Sequence, residues 1–366
     1  MHIVSFDVPC PPDYGGVIDV FYRVKALSEV GVKVHLHCFE YGRSPSGKLD
    51  ELCESVHYYS RSRSPKHVVS NFPFIVETRR NEELLQNLLK DNYPILFEGL
   101  HTTAFLNHKA LDGRLKLVRA HNIEHDYYKL LAQSEKSPFK RLFFTSESGK
   151  LKRYESVLKS ADYILSISEQ DHEHFVKKYG HSILIPPFHA NSAHQIGGKS
   201  EYAFYHGNLT VPENKKALEF LAKEVFPLTD VPLLIAGKGA LKTLNELKPT
   251  TQNIQVFDSP NAETMLTLAQ NASVHILPTF QSTGFKLKLL YSLFTAPVII
   301  ANEKMVAGTN LRSFCHIAES PKEMADLISK LHKAPLDSEG LKKRADYLQE
   351  NFSNRENALK IKALLD

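Results

Sequence analysis

The stretch from Val274 to Tyr291 constrains the fold of this chain more than any other. Val274-His275-Ile276-Leu277 reads as a short apolar strand ended by Pro278, and a polar turn then runs to Gly284. Beyond it, Leu287, Leu290, Tyr291 and Phe294 fall at i, i+3, i+4 and i+7, one face of a helix. Residues 298–301 form the next strand, so strand, helix and strand follow one another as in a parallel α/β unit. Phe285 to Leu289 also alternates with period two, as an amphipathic strand would, but the flanking strands favour the helix. A helix that opens after Ser282-Thr283-Gly284 presents unpaired backbone N–H groups and a positive dipole end. That is an anion site, with Lys286 and Lys288 in its first turn.

The first half repeats the same grammar. Residues 2–6 form a strand, and after a proline-rich loop Tyr14-Gly15-Gly16 opens a helix whose Val17, Val20, Phe21, Val24 and Leu27 keep helical spacing. Residues 32–39 are the second strand, with further strands at 56–59, 93–97, 115–120, 161–168 and 182–185 and helices at 81–90 and 169–179. In open α/β sheets the ligand crevice lies at the carboxyl ends of the strands. Glu98, His101 and His121 therefore belong on one rim. Gly15 and Gly16 allow close approach of a ligand to the backbone. They are no dinucleotide fingerprint, because the spaced third glycine and an acidic partner after the second strand are missing. Residues 136–159 are basic and amphipathic, a solvated long helix or a membrane-surface contact.

Residues 186–200 lack periodicity and carry two prolines and two glycines, which marks a linker. The pattern then restarts. Residues 202–206 are a strand with Gly207-Asn208 at its turn, Ala217, Leu218, Leu221 and Val225 share a helix face, and residues 231–236 and 253–257 are strands with a helix at 262–270. Gly237-Lys238-Gly239 is too short for a P-loop. At 366 residues there is room for two domains. We place the first at 1–187, a linker at 188–200, the second at 201–350, and at 351–366 a C-terminal helix that returns to the first domain. The net charge of +4 suits anionic small molecules or a membrane surface and is too weak to point to nucleic acid. No apolar run reaches bilayer length, the N-terminus enters a strand directly, and the cysteines have no metal-like spacing. A cytoplasmic location is the expectation.

Two histidine groups bear on metals. His121-x-x-Glu124-His125 fits an inverted zinc-protease pattern, but a strand feeds straight into His121, whereas zinc binding needs both histidines on one helix face. Asp171-His172-Glu173-His174 reads as the solvated side of a helix.

Several segments together resemble the GT-B fold of glycosyltransferases, and family 4 in particular. They are Pro11-Pro12-Asp13-Tyr14-Gly15-Gly16, then Arg119-Ala120-His121-Asn122-Ile123-Glu124-His125, then Ala161-Asp162 with Ser166-Ile167-Ser168-Glu169. They continue with Tyr205-His206-Gly207-Asn208 and Pro212 to Leu218, and close with Pro278 to Lys288 followed by Pro297-Val298. The resemblance implies an α/β protein of GT-B architecture, two Rossmann-like domains facing each other across a cleft. It implies a retaining, metal-independent transfer from a nucleotide-sugar co-substrate, with no other cofactor, to a glycan or lipid-linked acceptor. The work would be surface-polysaccharide synthesis, with peripheral contact to the cytoplasmic face of the inner membrane. On this reading Gly15, Gly16, Asn208, Lys215, Thr283, Gly284, Lys286, Lys288 and Tyr291 bind the donor. His121 is the catalytic candidate, hydrogen-bonding the transferred sugar or orienting the acceptor, and Tyr14, Glu98 and His101 face the acceptor. The chain departs from the family where two glutamates eight apart are usual, since Thr283 and Tyr291 stand there, and Asn208 replaces a common arginine. Tyrosine cannot act as a charged bidentate acceptor for ribose hydroxyls. The departures keep a second reading open, a non-catalytic GT-B-like protein that binds a glycan or a partner.

Overall fold

The computed structural model describes residues 1–365 apart from 63, 192–195, 197–199, 250–252 and 282–283. It divides into two compact units. Met1–Ala190 and Phe352–Asp366, with a short stretch around Gly284, form the first, and Asn191–Ser282 with Lys286–Asn351 form the second.

The first unit holds a seven-stranded sheet. Its strands are β1 (His2–Ser5), β2 (His35–Glu40), β3 (Ser55–Ser60), β4 (Ile95–Glu98), β5 (Lys116–Ala120), β6 (Tyr163–Ser166) and β7 (Ser182–Leu184), in the spatial order β3-β2-β1-β4-β5-β6-β7. All pairings are parallel. The period of two sorts the strands' side chains into two cores. Val4, Phe97, Val118 and Ile164 pack on one face, while Ile3, Leu96, Leu117 and Leu165 pack on the other. The second face is covered by helix Gly15–Glu29 through Val20, Val24 and Leu27, and by Ala358 and Ile361 of helix Asn354–Lys362. Coverage on both faces explains why β4 and β5 are buried without interruption.

The second unit is built alike around six strands. They are β8 (Ala203–His206), β9 (Leu233–Gly237), β10 (Ile254–Asp258), β11 (Val274–Leu277), β12 (Ile299–Ala301) and β13 (His316–Ile317), ordered β10-β9-β8-β11-β12-β13 and again parallel. The strand after the first helix begins three residues later than its apolar pattern suggests, at His35. The helix predicted after Gly284 spans Leu287–Thr295, so Lys286 stands at the position before it, without a side-chain capping bond, and Lys288 alone of the two lysines lies in its first turn. Its buried residues are Leu289, Leu290, Leu293 and Phe294 together with Ser292 and Thr295, whereas Leu287 and Tyr291 are half-buried. A helix enclosed on most sides has no single apolar stripe, and a one-face template then places its boundary wrongly. The sequence reading has no counterpart to β13, which is only His316–Ile317, or to the helix Ala240–Leu247, although Ala240, Leu244 and Leu247 keep helical spacing.

An uncommon feature of the first sheet is a row of imidazoles across β1, β2 and β3. His2 Nδ1 lies 2.8 Å from His37 Nε2, and His37 Nδ1 lies 2.8 Å from the Tyr59 hydroxyl. Asn87 donates to the same hydroxyl and Asp91 closes the other end on His2 Nε2 at 2.8 Å. Burial holds His2 down to about 4 and His37 down to about 2, the neighbouring imidazoles adding to the effect at His37. The unfolded chain takes up protons near pH 6.5 that these two folded histidines refuse. Stability is therefore complete above that pH and declines as pH falls toward 4, by about 1.4 kcal/mol per pH unit per histidine. Denaturant midpoints measured from pH 7.5 to 4.5 should show that slope, and His37→Gln should reduce it by about half. An unchanged slope in the variant would mean that other groups govern the acid limb.

Candidate functional site

The carboxyl ends of β4 and β5 deliver their polar residues onto a sealed set of charges. Asp19 and Arg23 sit one turn apart on helix Gly15–Glu29, both on its buried face. Arg23 donates to Asp19 at 2.6 Å and to Glu98, bridging the two carboxylates. Arg119, on β5, reaches back across the sheet to Asp19 at 2.9 and 3.1 Å and donates to the carbonyl oxygens of Ile185 and Pro186. The Phe188 N–H completes the shell of Asp19 at 2.8 Å. Burial alone would raise the Asp19 carboxyl, but Arg119 and Arg23 outweigh it and hold the group well below the usual carboxylate range. Ligand atoms of Asp19, Glu98 and His121 lie within 4.8 Å of one another, the spacing of a metal cluster. Both carboxylates already carry guanidinium partners, so the cluster is neutralised from within.

His121 stands at the edge of this network. Its Nε2 lies 2.9 Å from Glu98 Oε2, which can only accept, so Nε2 carries the proton and Nδ1 is left as the outer nitrogen. Phe6 packs edge-on against the His121 ring at 5.5 Å and tilted against His101 at 5.3 Å. Gly99 adopts φ 62°, and a Cβ there would stand 2.8 Å from His101 Nδ1, so only glycine serves. Glu98 was expected to meet an acceptor. At 0% exposure and committed to Arg23 and His121, it instead positions His121. His101 remains on the rim, its proton affinity pushed well down by burial and by Arg79, His121 and Arg61. Tyr14 precedes the first helix and donates to Asp7 at 2.8 Å. Gly15 and Gly16 begin that helix, which has no capping side chain and no acidic residue in its first turn. A Cβ on Gly16 would meet Phe6 Cζ at 2.7 Å.

The zinc pattern dissolves on inspection. His125 Nδ1 is bound by Glu155 at 2.9 Å, and the same carboxylate takes His174, Lys178 and the Tyr179 hydroxyl. His121 and His125 thus serve different carboxylates. His174 is part of that buried cluster rather than fully solvated.

In the second unit the lysines converge on the ends of β8 and β11. Lys288 Nζ donates to Asn214 Oδ1 at 2.8 Å and lies 5.4 Å from the centre of the Tyr205 ring. Asn214 in turn donates to the Asn208 carbonyl at 3.0 Å, and the Tyr205 hydroxyl holds the Asn214 carbonyl at 3.0 Å. Burial lowers Lys288 to about 8, Glu213 opposing and Lys286 assisting, and burial lowers Lys286 as well. Helix Leu287–Thr295 has neither a capping side chain nor a first-turn acid, so its amides face the same region. Thr279 is fixed by exchange of hydrogen bonds with Asn302, at 3.0 and 2.7 Å, and by Glu213. Gly207 and Gly237 touch so closely that a Cβ on Gly237 would overlap the Gly207 carbonyl oxygen. Asn208 accepts from Thr210 N–H and hydroxyl, which shapes the turn after β8.

Two further sequence candidates pack against other groups. The Lys215 side chain is ion-paired with Glu246. Tyr291 packs into an apolar cluster with Phe204, Leu234 and Ala269, and its ring meets His206 at 5.0 Å. Its hydroxyl is buried with no hydrogen-bond partner among the described residues. Thr283 lies outside the described residues, and Gly284 takes φ 71° in the turn before the helix. Asp19 and Arg23 escaped the sequence reading, and Tyr205 and Asn214 lay in the segments quoted for the resemblance without a role assigned to them. The one available signal was Asp19 and Arg23 interrupting the apolar stripe of a buried helix face.

Removing the Glu98 charge leaves Arg23 with half its compensation. Glu98→Gln should cost about 3–5 kcal/mol, the usual loss when one partner of a buried pair is neutralised. Urea unfolding checks this, and a loss under about 1 kcal/mol would mean that Asp19 alone suffices for Arg23.

No protein-family model matches the chain. It is 27% identical over 325 residues, 84% of each chain, to an uncharacterized 44.6 kDa protein in the cps region of Klebsiella pneumoniae. Among solved structures it resembles the N-terminal domain of Candida albicans trehalose-6-phosphate phosphatase, with a TM-score of 0.64 at 12% identity over 100% of this chain and 96% of that one. An E. coli trehalose-6-phosphate structure bound with UDP-2-fluoro glucose gives a TM-score of 0.64 at 12% identity, covering 100% and 99%. Arabidopsis thaliana UGT89C1 complexed with UDP gives 0.60 at 12%, covering 100% and 99%. These likenesses establish the fold, two Rossmann-like domains of the GT-B class.

Proposed function

We propose that the protein is a retaining glycosyltransferase that moves a sugar from a nucleoside-diphosphate donor to a glycan or glycolipid acceptor in surface-polysaccharide synthesis. The observation that carries the reading is Lys288, a half-buried ammonium held on Asn214 and the Tyr205 ring beside an uncapped helix start. Solved structures of the same fold bound to UDP and to a UDP-sugar analogue support it, as does the cps-region relative. In the reaction the acceptor oxygen forms its bond to the anomeric carbon while the bond from that carbon to phosphate oxygen breaks. The acceptor proton passes to the departing phosphate. Lys288, Lys286 and the amides of helix Leu287–Thr295 stabilise the charge that collects on the diphosphate. His121, with its proton held toward Glu98, offers Nδ1 to a sugar hydroxyl.

A panel of nucleotide sugars tests the assignment by binding and turnover. One donor should bind, and Lys288→Ala should weaken it at least about tenfold. Lys288 is protonated below about 8 in the free protein, and a bound diphosphate favours the protonated form. Donor affinity should therefore fall as pH rises above 8, by about tenfold per pH unit, and the fall should vanish in the alanine variant. Donor binding without turnover on any acceptor would favour the non-catalytic reading instead, which the Tyr291 substitution motivates.

Acceptor delivery from a membrane fits a surface of the first unit. Phe139 is 86% exposed, Leu142 71% and Val69 83%, values unusual for such side chains. Exposed Lys136, Lys140 and Arg141 surround the first two, on or beside helix Pro138–Tyr154, which suits an anionic lipid surface. Sedimentation with phosphatidylglycerol vesicles should remove the wild-type protein from solution and leave Phe139→Asp/Leu142→Asp behind. Equal partition of both proteins would discard the contact.

A further inference from the structure

The first unit contains a buried arginine that the network above does not use. Arg79 is 4% exposed and donates from Nε to the Phe6 carbonyl at 3.0 Å and from Nη1 to the Ile75 carbonyl at 2.8 Å. The other buried arginines of this unit, Arg23, Arg114 and Arg119, each meet a carboxylate. Arg79 has none within ion-pair distance among the described residues. A buried charge is ordinarily paired, so an unpaired one points to an anion that arrives from outside.

Its surroundings point the same way. Arg61 follows β3, stacks on Tyr41 at 4.2 Å, spends Nε on Thr78 and likewise meets no carboxylate within ion-pair distance among the described residues. The two guanidinium groups repel each other, and burial together with Arg61 lowers Arg79 to about 10. His101, which both arginines influence, has a buried Nδ1 without a hydrogen-bond partner. Two carboxyl groups lie nearby. Asp7 is engaged by the Tyr14 hydroxyl and the Val8 N–H. Glu124, 3.9 Å from His101, is pushed up to about 8 by burial and Asp171, which leaves it neutral at pH 7. One uncompensated positive charge remains. It sits beside Phe6, at the carboxyl end of β1, on the rim that carries His101 and His121.

We infer that Arg61 and Arg79 form a subsite for a phosphate group carried by the acceptor. Among the described residues no hydrogen bond engages Arg79 Nη2 or the terminal nitrogens of Arg61, and these guanidinium donors suit phosphate oxygens. The inference rests on the reading of the first unit as the acceptor side, and names the acceptor class as a phosphorylated or diphosphate-linked glycan. Its chemistry does not distinguish a soluble sugar phosphate from a lipid-linked one.

The test uses the full chain carrying Lys286→Ala and Lys288→Ala, so that the lysines of the second unit do not contribute. Calorimetric titration with pyrophosphate, inorganic phosphate and glucuronate should show phosphate binding that Arg61→Ala weakens at least about tenfold. Arg79→Lys, which keeps the charge but loses the fork, should weaken it comparably, and a thermal melt verifies that each variant folds. Equal binding in all variants, no binding of any phosphate, or preference for glucuronate would each overturn the proposal. Arg61-dependent phosphate binding in a protein that binds no nucleotide sugar would leave this subsite standing and reject transferase activity alone. Where transfer is found, the preference for phosphorylated over unphosphorylated acceptor should disappear in Arg61→Ala. Comparing a water-soluble sugar phosphate with the same sugar on a prenyl diphosphate separates the two sources.

Discussion

Arg119 is the residue on which the first unit depends. A guanidinium near the carboxyl end of a parallel strand, fully closed off from water, is tolerable only if counter-charge and acceptors surround it. Asp19 and the carbonyls of Ile185 and Pro186 supply them, tying helix Gly15–Glu29, the centre of the sheet and the chain after β7 to one point. Asp19 is shared with Arg23, Arg23 with Glu98, and Glu98 with His121. The ring that reaches the rim is thus oriented through a chain of charged hydrogen bonds with no slack solvent between them. Asp19 and His121, far apart in sequence, are joined by three successive hydrogen bonds through Arg23 and Glu98.

The second unit solves a different problem with different means. Lys288 is held by neutral partners, Asn214 and the Tyr205 ring, with Glu213 near enough to raise its proton affinity. A neutral partner fixes the ammonium without quenching it, so its field remains available to an arriving anion. Below it, Ser292 joins two buried imidazoles. His275 donates from Nε2 to the Ala269 carbonyl, leaving Nδ1 to accept from the Ser292 hydroxyl, whose oxygen can then accept from His206. These bonds tie β8 and β11 to the helix that carries Lys288. The Tyr291 hydroxyl is the exception in this order, a buried donor with no hydrogen-bond partner among the described residues.

The elements were legible because apolar runs in a parallel sheet end abruptly at polar turns, and Val274–Leu277 and Glu169–Tyr179 fall where the pattern puts them. Placement of His121 on the rim followed from the same rule. The partners were not legible. Lys288 meets Asn214 across 74 residues and Arg119 meets Asp19 across 100, and nothing local distinguishes such a polar side chain from a solvated one. Glu98 illustrates the cost: a carboxylate at a strand end looks accessible until its buried arginine is seen. Lys215 and Lys288 are equally basic in sequence, and only Glu246 separates their roles.

The first unit is not contiguous in sequence. Ala358 and Ile361 complete the apolar face beneath helix Gly15–Glu29, and Lys362 caps the end of that helix through the Val30 carbonyl. During synthesis the first sheet therefore emerges long before the segment that covers it, and the whole second unit is made in between. Until then an apolar strip along the first helix stays open to water. The second unit, whose sequence is closed within one span apart from its short crossing at Gly284, can reach its final form earlier than the domain that precedes it.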